Sequence, residues 1–516
     1  MTRWPVVCLL VAACRPPAAP AEPTGPVAPE TGRFILAHTN DLHTHFRANP
    51  AAWLPGAPDI GGFDLIDAHL GALRARLGED AVLYVDGGDL LTGTPLMEYQ
   101  EHGAWGGAMV DFLDAAQADA WVLGNHELDR GWSNAAALVR ASPMPVLSAN
   151  VRSARDRDAP GLPGMQRHVV LEANGVRVGV FGLTTPGLER LASAETMSRL
   201  DVLPLSGVAA AEVDALEPRV DIVVALTHTG IEADRALAAE VAGIDLIVGG
   251  HSHTAIPAPE RVGDTWIVQT GAYARQLGVL DIRVEDGRIG SLDGELVDLL
   301  PDASPGPTTA RTRALVERWS TALRSRFNTP IGTAAAGLDR SGDAETPLGR
   351  WAGDMLRAAT GADVGIYNRG GLRADIPAGT LTLGDLYNVF PFRNEVVVFE
   401  ATGEELIGMS VRALHLLMKR QYQPLEFGGL TLAWQLRMGA PEVVSLRIGD
   451  APVDPRRTYT VATNSYVAEQ WKHHLAFEPR GLQSTGRVVL EVAEDAVRAG
   501  PVVAPAEPRI VLIGAR

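Results

Sequence analysis

Cysteine, positive charge and long hydrophobic runs are all scarce in this sequence. Only 2 of the 516 residues are cysteine. Because Cys8 lies in an amino-terminal segment that we expect to be removed, the mature chain is predicted to have no internal disulfide. Lysine and arginine number 45 against 62 acidic residues, which gives a formal net charge of −17. Binding a long nucleic acid requires a basic face, so no nucleic-acid polymer is expected as a partner.

The amino terminus carries a short hydrophobic stretch instead of a membrane span. Arg3 precedes about eight apolar residues and then small residues, a pattern typical of an export signal and too short to cross a bilayer. Residues 11–14, Val-Ala-Ala-Cys, resemble a bacterial lipobox, which predicts a signal peptide over 1–14 and lipidation of Cys14. The alternative is an ordinary signal peptide with a chance cysteine.

Residues 15–31 are rich in proline and alanine and suit a semi-extended tether. With a lipid on Cys14, this tether would hold the protein at a membrane. We therefore expect an exported, membrane-anchored lipoprotein that faces the periplasm or the cell exterior.

Five apolar strand candidates in the first half of the chain each end in polar side chains. They cover residues 33–39, 81–85, 120–123, 222–227 and 244–248. Stretches with apolar residues at helical spacing, such as 63–77 and 208–216, lie between them. This alternation predicts a layered α/β domain, in which ligands collect beyond the carboxyl ends of the strands.

Seven side chains at these strand ends form a candidate ligand set. Their mixture of imidazole, carboxylate and amide groups, with one carboxylate available to bridge, fits two divalent ions, and Zn, Mn, Fe or Co all remain open. The seven are Asp41, His43, Asp89, Asn125, His228, His251 and His253. The neighbouring His38 and His45 are predicted to be a strand residue and a near-site surface residue, not ligands.

These segments resemble the calcineurin-like metallophosphoesterases, and more narrowly the secreted 5′-nucleotidase, UDP-sugar hydrolase and 2′,3′-cyclic phosphodiesterase family. The resemblance rests on Asn-Asp-Leu-His at 40–43, Gly-Gly-Asp at 87–89, Gly-Asn-His-Glu-Leu-Asp at 124–129, Leu-Thr-His-Thr-Gly at 226–230 and Gly-Gly-His-Ser-His at 249–253. It extends over nearly the whole mature chain.

The resemblance implies the domain organisation. A four-layer α/β/β/α metallophosphoesterase sandwich is expected over residues 32–298, and a linker with a helix over 299–329. An α/β 5′-nucleotidase substrate domain is expected over 330–516.

The resemblance also implies the role of each ligand. One ion would be held by Asp41, His43 and His253 and the other by Asn125, His228 and His251, with Asp89 as the bridge. An activated water would attack phosphorus in line. His126 would contact the phosphate and the leaving oxygen, with its ring oriented by Asp129. The spacing of these two residues suits a hydrogen bond if a helical turn begins at His126.

In the second domain, residues 368–373 follow a strand candidate and resemble the substrate loop Asn-Gly-Gly-x-x-Arg of the family, with Arg369 in place of the first glycine. Arg393 likewise stands where the family has glycine, in a Pro-Phe-Gly-Asn turn. A guanidinium can hold a phosphate or carboxylate through two hydrogen bonds. The candidate substrate-binding residues are Asn368, Gly370, Gly371, Arg373, Phe427 and Tyr466.

The expected base-binding rings and carboxylate are only partly present. One ring position holds Pro424, and the Gly-Gly-Asp of the base loop is replaced by Gln-Trp-Lys at 470–472. Phe427 and Trp471 either replace the rings or belong to the core.

The leading hypothesis is therefore a 5′-nucleotidase that releases phosphate from nucleotides. The alternatives are a hydrolase of 2′,3′-cyclic nucleotides, UDP-sugars or another small phosphate or sulfur ester, and a non-catalytic binding lipoprotein. The intact ligand set argues against a non-catalytic protein. The sequence leaves the oligomeric state open.

Overall fold

The computed structural model describes residues 32–51, 58–419 and 425–513, which form two α/β domains joined by a helix. The predicted export signal, the tether, Cys14 and Pro424 lie outside the described residues. Among the described residues, none of the helices is long and apolar enough to cross a membrane.

The first sheet of the amino-terminal domain has six strands. Four of them run parallel, and two antiparallel strands complete one edge. In sheet order the strands are Arg288–Asp298, Gln276–Glu285, Arg33–Thr39, Val82–Asp86, Ala120–Val122 and Val146–Leu147.

A second six-stranded sheet packs face to face against the first. Its strands, in sheet order, are His168–Ala173, Val176–Thr184, Ile222–His228, Leu246–Val248, Thr265–Val268 and Glu260–Val262. Leu36 and Val85 of the first sheet share one buried cluster with Val180 and Val224 of the second. This apolar cluster is the inner core of the domain.

Helices cover the outer face of each sheet and complete the predicted four-layer α/β/β/α sandwich. On the first sheet these helices are Phe63–Leu77, Ala108–Ala115 and Gly131–Ala141. On the second they are Leu205–Leu216 and Ile231–Glu240. The helix predicted over 63–77 has the predicted bounds, and the one predicted over 208–216 begins three residues earlier, directly after Pro204.

The connecting helix Ala310–Phe327 packs on the first domain and also reaches the second. Trp319, Leu323 and Phe327 are buried in the core cluster of the first domain. The ring of Phe327 lies 5.8 Å from the ring of Tyr387, which belongs to the second domain. The helix therefore belongs to the core of the first domain and contacts the second domain through Tyr387.

The second domain is built on a five-stranded and a four-stranded sheet. The five strands, in sheet order, are Leu425–Gly428, Val364–Asn368, Thr458–Asn464, Glu395–Thr402 and Arg480–Val488. The four are Ala451–Pro452, Ala440–Ile448, Leu430–Arg437 and Ile510–Leu512. A separate strand pair joins Pro330–Ala334 to Gly379–Thr382.

The main helices of this domain are Pro347–Thr360, Leu383–Val389, Gly403–Lys419 and Val489–Ala499. The first of them begins at Pro347, because the Thr346 side chain caps it by accepting from the Gly349 amide and a proline occupies its first turn. Two short helices, Ser465–Glu469 and Trp471–His474, follow Asn464 and face the first domain.

Candidate active site

The seven candidate ligands of the sequence come together where strands of both sheets end. The first sheet supplies Asp41, His43, Asp89 and Asn125, and the second supplies His228, His251 and His253. The ligand atoms of six of them form two groups, Asp41–His43–His253 and Asp89–His228–His251, and within each group all the atoms lie within 4.8 Å of one another. His126 forms a further group of this kind with His43 and Asp89. Carboxyl ends of parallel strands open on one edge of a sheet, so side chains distant in sequence converge there.

Backbone carbonyls set the orientation of two of these histidines. His43 Nδ1 lies 2.8 Å from the carbonyl oxygen of Thr92, and His228 Nδ1 lies 2.7 Å from that of Gly87. A carbonyl oxygen can only accept, so Nδ1 carries the proton in both rings and Nε2 keeps its lone pair. Both imidazoles are thus held as metal ligands are usually held.

The chemistry of this donor set fits divalent metal ions. His43 Nε2 lies 2.9 Å from His253 Nε2. Asn125 Oδ1 and His228 Nε2 are buried without an aligned hydrogen bond in the described part of the chain, although His228 Nε2 lies 3.0 Å from Asp89 Oδ2. Buried lone pairs that face each other are costly unless a cation satisfies them.

Several ligands belong to residues with a strained backbone. Asp41, His43, Asp89, His251 and His253 all have positive φ, between 48° and 78°. For residues other than glycine this region costs on the order of 1–3 kcal/mol each and is concentrated at functional sites. The amides of Asp41 and His43 donate to the carbonyls of Gly88 and Asp89 at 2.8 and 2.9 Å, which locks the two ligand loops together.

Glu127 is a positioning residue that the sequence analysis missed. It is fully buried, and its carboxylate accepts from the amides of Leu90 and Gly124 at 2.8 Å. It also accepts from the amide of Asp89 at 3.2 Å. Burial, and then the nearby charge of Asp89, raise the pKa of Glu127 to about 7. Its only signal in the sequence was its place inside the motif at 124–129.

His126 and Asp129 stand beside the ligand groups in the predicted pairing. His126 Nδ1 lies 2.7 Å from Asp129 Oδ2, and the helical turn His126–Leu128 between them is present. Thr92 Oγ1 donates to the same Asp129 oxygen at 2.6 Å. Burial disfavours the charged ring, but Asp129 and Asp89 outweigh burial, and the pKa of His126 is raised. His126 Nε2 lies 3.8 Å from Asp89 Oδ2.

A cleft of about 670 Å³ extends from these residues to the second domain. Five of the predicted substrate-binding residues line it, namely Asn368, Gly370, Gly371, Arg373 and Tyr466. Tyr466 Oη donates to the carbonyl oxygen of Arg190 at 3.3 Å, which links the two walls. The volume is typical of a site that binds a small molecule.

Arg373 and Phe392 lie near the ligand groups. The Arg373 guanidinium carbon is 5.9 Å from the centre of the Phe392 ring, and that ring is 5.8 Å from the ring of His126. The sequence made Arg373 a candidate substrate-binding residue, and the structure places it beside Phe392, which in turn lies beside His126. Phe392 was not among the predicted site residues, because no sequence pattern distinguishes a phenylalanine in a turn as a site residue.

Phe427 was wrongly predicted to bind substrate. Its strand pairs with Val364–Asn368, so that Phe427 lies opposite Ile366, and its ring is fully buried in a core cluster with Phe399. Trp471 packs against the same cluster, so it too belongs to the core. The strand register and the packing therefore assign both rings to the core, a choice that the sequence left open.

His38 and His45, the two histidines that flank the first ligand motif, lie in a strand and beside the first ligand loop. His38 is fully buried inside the strand Arg33–Thr39. His45 is half-buried, and its Nδ1 lies 2.9 Å from the carbonyl oxygen of His43. Neither ring belongs to the two ligand groups.

A four-layer sandwich with this ligand set at its strand ends defines a metallophosphoesterase. Residues 34–255 match the family model for calcineurin-like phosphoesterases, and residues 330–478 match the model for the 5′-nucleotidase carboxyl-terminal domain. The chain therefore belongs to the metallophosphoesterases that carry a 5′-nucleotidase carboxyl-terminal domain, and it is a metal-dependent phosphoester hydrolase.

Relatives and solved structures agree with this assignment. The chain is 26% identical to a 5′-nucleotidase of Diplobatis ommata over 93% of this chain and 90% of that protein. It is 27% identical to the trifunctional nucleotide phosphoesterase protein YfkN of Bacillus subtilis over 86% of this chain, but it spans only 32% of the length of YfkN. The crystal structure of a 5′-nucleotidase precursor from Thermus thermophilus matches with a TM-score of 0.81 at 26% identity, covering 94% of this chain and 100% of that one.

Proposed function

We propose that the protein is a 5′-nucleotidase that releases phosphate from nucleotides outside the cytoplasm with the help of two divalent ions. The observation that carries this proposal is the single cleft that joins the ligand groups to Arg373 and Tyr466 of the second domain. A phosphate bound at the ligand groups can extend its organic part into that cleft.

The ligand groups divide between the two ions. Asp41, His43 and His253 would hold one ion, and Asn125, His228 and His251 would hold the other, with Asp89 shared between them. When bound, divalent ions lower the pKa of water and stabilise negative charge on phosphoryl oxygens. Mixed nitrogen and oxygen ligands accept Zn, Mn, Fe or Co.

The protein side chains position the substrate for hydrolysis. The water oxygen forms a bond to phosphorus, the bond from phosphorus to the ester oxygen breaks, and that oxygen leaves with a proton. Asp129 holds the His126 ring so that Nε2 is on the side of Asp89, where it can contact the phosphate and the leaving oxygen. Arg373 lines the same cleft as His126, and its guanidinium would contact a phosphate oxygen.

Tyr466 and His474 offer contacts for the organic part of the nucleotide. Both line the cleft, and their ring centres are 5.6 Å apart in an edge-to-face arrangement. His474 is buried, and its Nε2 has no hydrogen-bond partner in the described part of the chain. A base stacked on Tyr466 would give that nitrogen a partner, and this contact would replace the missing base-loop carboxylate.

A screen of phosphate release tests this function. Purified protein loaded with Zn, Mn, Fe or Co would be assayed with 5′-nucleoside monophosphates, 2′,3′-cyclic nucleotides, UDP-sugars and p-nitrophenyl phosphate. Metal-dependent release of phosphate from 5′-nucleoside monophosphates is expected. Hydrolysis of only the cyclic nucleotides or UDP-sugars would overturn the 5′-nucleotidase proposal and leave the phosphoesterase class intact.

The location proposal rests on the amino-terminal sequence. The lipobox at 11–14 supports lipidation of Cys14 and attachment of the exported enzyme to a membrane through residues 15–31. Cys14→Ser should release the protein from the membrane fraction or block signal processing. If the native protein and this variant both stay in the aqueous phase of a detergent separation, a plain secreted enzyme is favoured.

A further inference from the structure

Glu98 joins two arginines from different domains in the wall of the cleft. Its side chain is only 9% exposed and forms an ion pair with Arg130 of the first domain. The same carboxylate accepts from Arg393 Nη1 of the second domain at 3.3 Å and from Tyr387 Oη at 3.0 Å. Two guanidinium groups therefore share one carboxylate, which leaves a surplus of positive charge.

Both arginines line the cleft, and each is next in sequence to a residue that contacts His126. Arg130 follows Asp129, which forms the hydrogen bond to the His126 ring. Arg393 follows Phe392, whose ring lies 5.8 Å from that of His126. Arg130 and Arg393 thus lie beside His126, the residue that is proposed to contact the leaving oxygen.

Both guanidinium groups have N–H donors that are not used in the bonds to Glu98 and are available to a ligand. Arg130 is held in place, since it binds Glu98 and lies over the Trp105 ring at 5.1 Å. Arg393 uses only Nη1 in the bond to Glu98, and its side chain is 55% exposed. A guanidinium has several N–H donors in one plane that match the oxygens of a phosphate. The chain carries a net charge of −17, so this positive surplus is a local feature.

We propose that Arg130 and Arg393 form a subsite for a second phosphate, the one adjacent to the phosphate that is hydrolysed. The inference rests on the proposed nucleotidase function and narrows its substrate class to nucleoside diphosphates, in preference to monophosphates. The water oxygen bonds to the terminal phosphorus, and the bond from that phosphorus to the bridging oxygen breaks. The bridging oxygen leaves on the nucleoside monophosphate, and one proton is released to solvent. Arg130 and Arg393 neutralise the negative charge of the departing phosphate.

Arg393 is the residue that tests the subsite, because its sequence position holds glycine in the resembled family. The measurement is kcat/KM for ADP and AMP, and for UDP and UMP, with the full metal-loaded protein. We expect the native enzyme to favour the diphosphate in both pairs. Arg393→Gly and Arg393→Gln should lower the diphosphate-to-monophosphate ratio roughly tenfold or more, because each removes a charged hydrogen bond to the second phosphate. Arg393→Lys should retain part of the preference.

Tyr387→Phe is the matched control. It removes the neighbouring bond from the second domain to Glu98 but leaves every charge in the cleft. If Arg393 served only to hold the domains together, Tyr387→Phe would lower hydrolysis of both substrates in the same way as Arg393→Gln. We expect Tyr387→Phe to leave the diphosphate-to-monophosphate ratio unchanged.

The outcomes separate this inference from the function on which it rests. A native enzyme that hydrolyses AMP and ADP equally well, or Arg393 variants with an unchanged ratio, would overturn the subsite and leave the nucleotidase standing. No hydrolysis of any nucleotide by the metal-loaded native enzyme would overturn the proposed function itself. A selective loss of ADP hydrolysis in the Arg393 variants, with Tyr387→Phe unaffected, supports the second-phosphate subsite.

Discussion

His126 is bound to Asp129 through a 2.7 Å hydrogen bond from its Nδ1, while its other ring nitrogen lies on the side of Asp89. The ring is not part of either proposed ion site. His126→Ala should therefore lower kcat by a factor of roughly 10² to 10³, the usual cost of one lost transition-state contact, with metal content unchanged. Elemental analysis of the purified variant is the check, and loss of an ion would make His126 a ligand.

Asp89→Asn should reduce metal content more than removal of a ligand assigned to one ion, such as His251→Ala. In the proposed ligand assignment Asp89 is shared by both ions, and its Oδ1 also accepts from the His126 amide at 2.8 Å. The measurement is metal stoichiometry together with kcat. An Asp89→Asn protein with native stoichiometry and rate would show that Asp89 is not the bridge.

Chelation should abolish hydrolysis of every substrate, and a divalent ion should restore it. The reason is that Asn125 Oδ1 and His228 Nε2 are buried without an aligned hydrogen bond in the described part of the chain, and a cation at this site would satisfy both. The apo-protein should also unfold at a lower temperature, because ligands that bind only the native state stabilise it. Full activity with metal shown to be absent would refute metal-dependent hydrolysis.

Tyr466→Ala should raise KM for a nucleotide and affect p-nitrophenyl phosphate much less. The ring lines the part of the cleft that the proposed function assigns to the organic part of the substrate, and remote contacts supply binding more than chemistry. Tyr466→Phe is the control, since it keeps the ring and loses only the bond to the Arg190 carbonyl. Equal losses on both substrates in Tyr466→Ala would place the base elsewhere.

Phe427→Ala should destabilise the protein without changing substrate selectivity. The ring is fully buried in the cluster that contains Ile366 and Phe399, and removing a buried Phe typically costs about 3–5 kcal/mol. Urea unfolding measures the cost, and the ratio of nucleotide to p-nitrophenyl phosphate hydrolysis measures selectivity below the transition. A selective loss of nucleotide hydrolysis would return Phe427 to the substrate site.

The sequence was sufficient for the first-domain fold and for the residues that meet at its strand ends. Each ligand motif is local: an apolar run is followed directly by polar residues, as in Asp41 and His43 or in the segment at 124–129. Strand–helix alternation then brings the ends to one edge, because parallel strands place their carboxyl ends on the same side. Local patterns and one general rule of topology predicted the layered α/β domain and the convergence of these residues, and the family resemblance added the four-layer arrangement.

Only the tertiary structure decided how residues distant in sequence pair. Whether Phe427 faced the cleft or the core depended on its register against Ile366. The position of Glu127 is explained only by its contact with the loop at Asp89, whose amide donates to it. Glu98 accepts from Arg393, which belongs to the other domain. Such contacts follow from register and packing between separate elements, and a linear pattern contains neither.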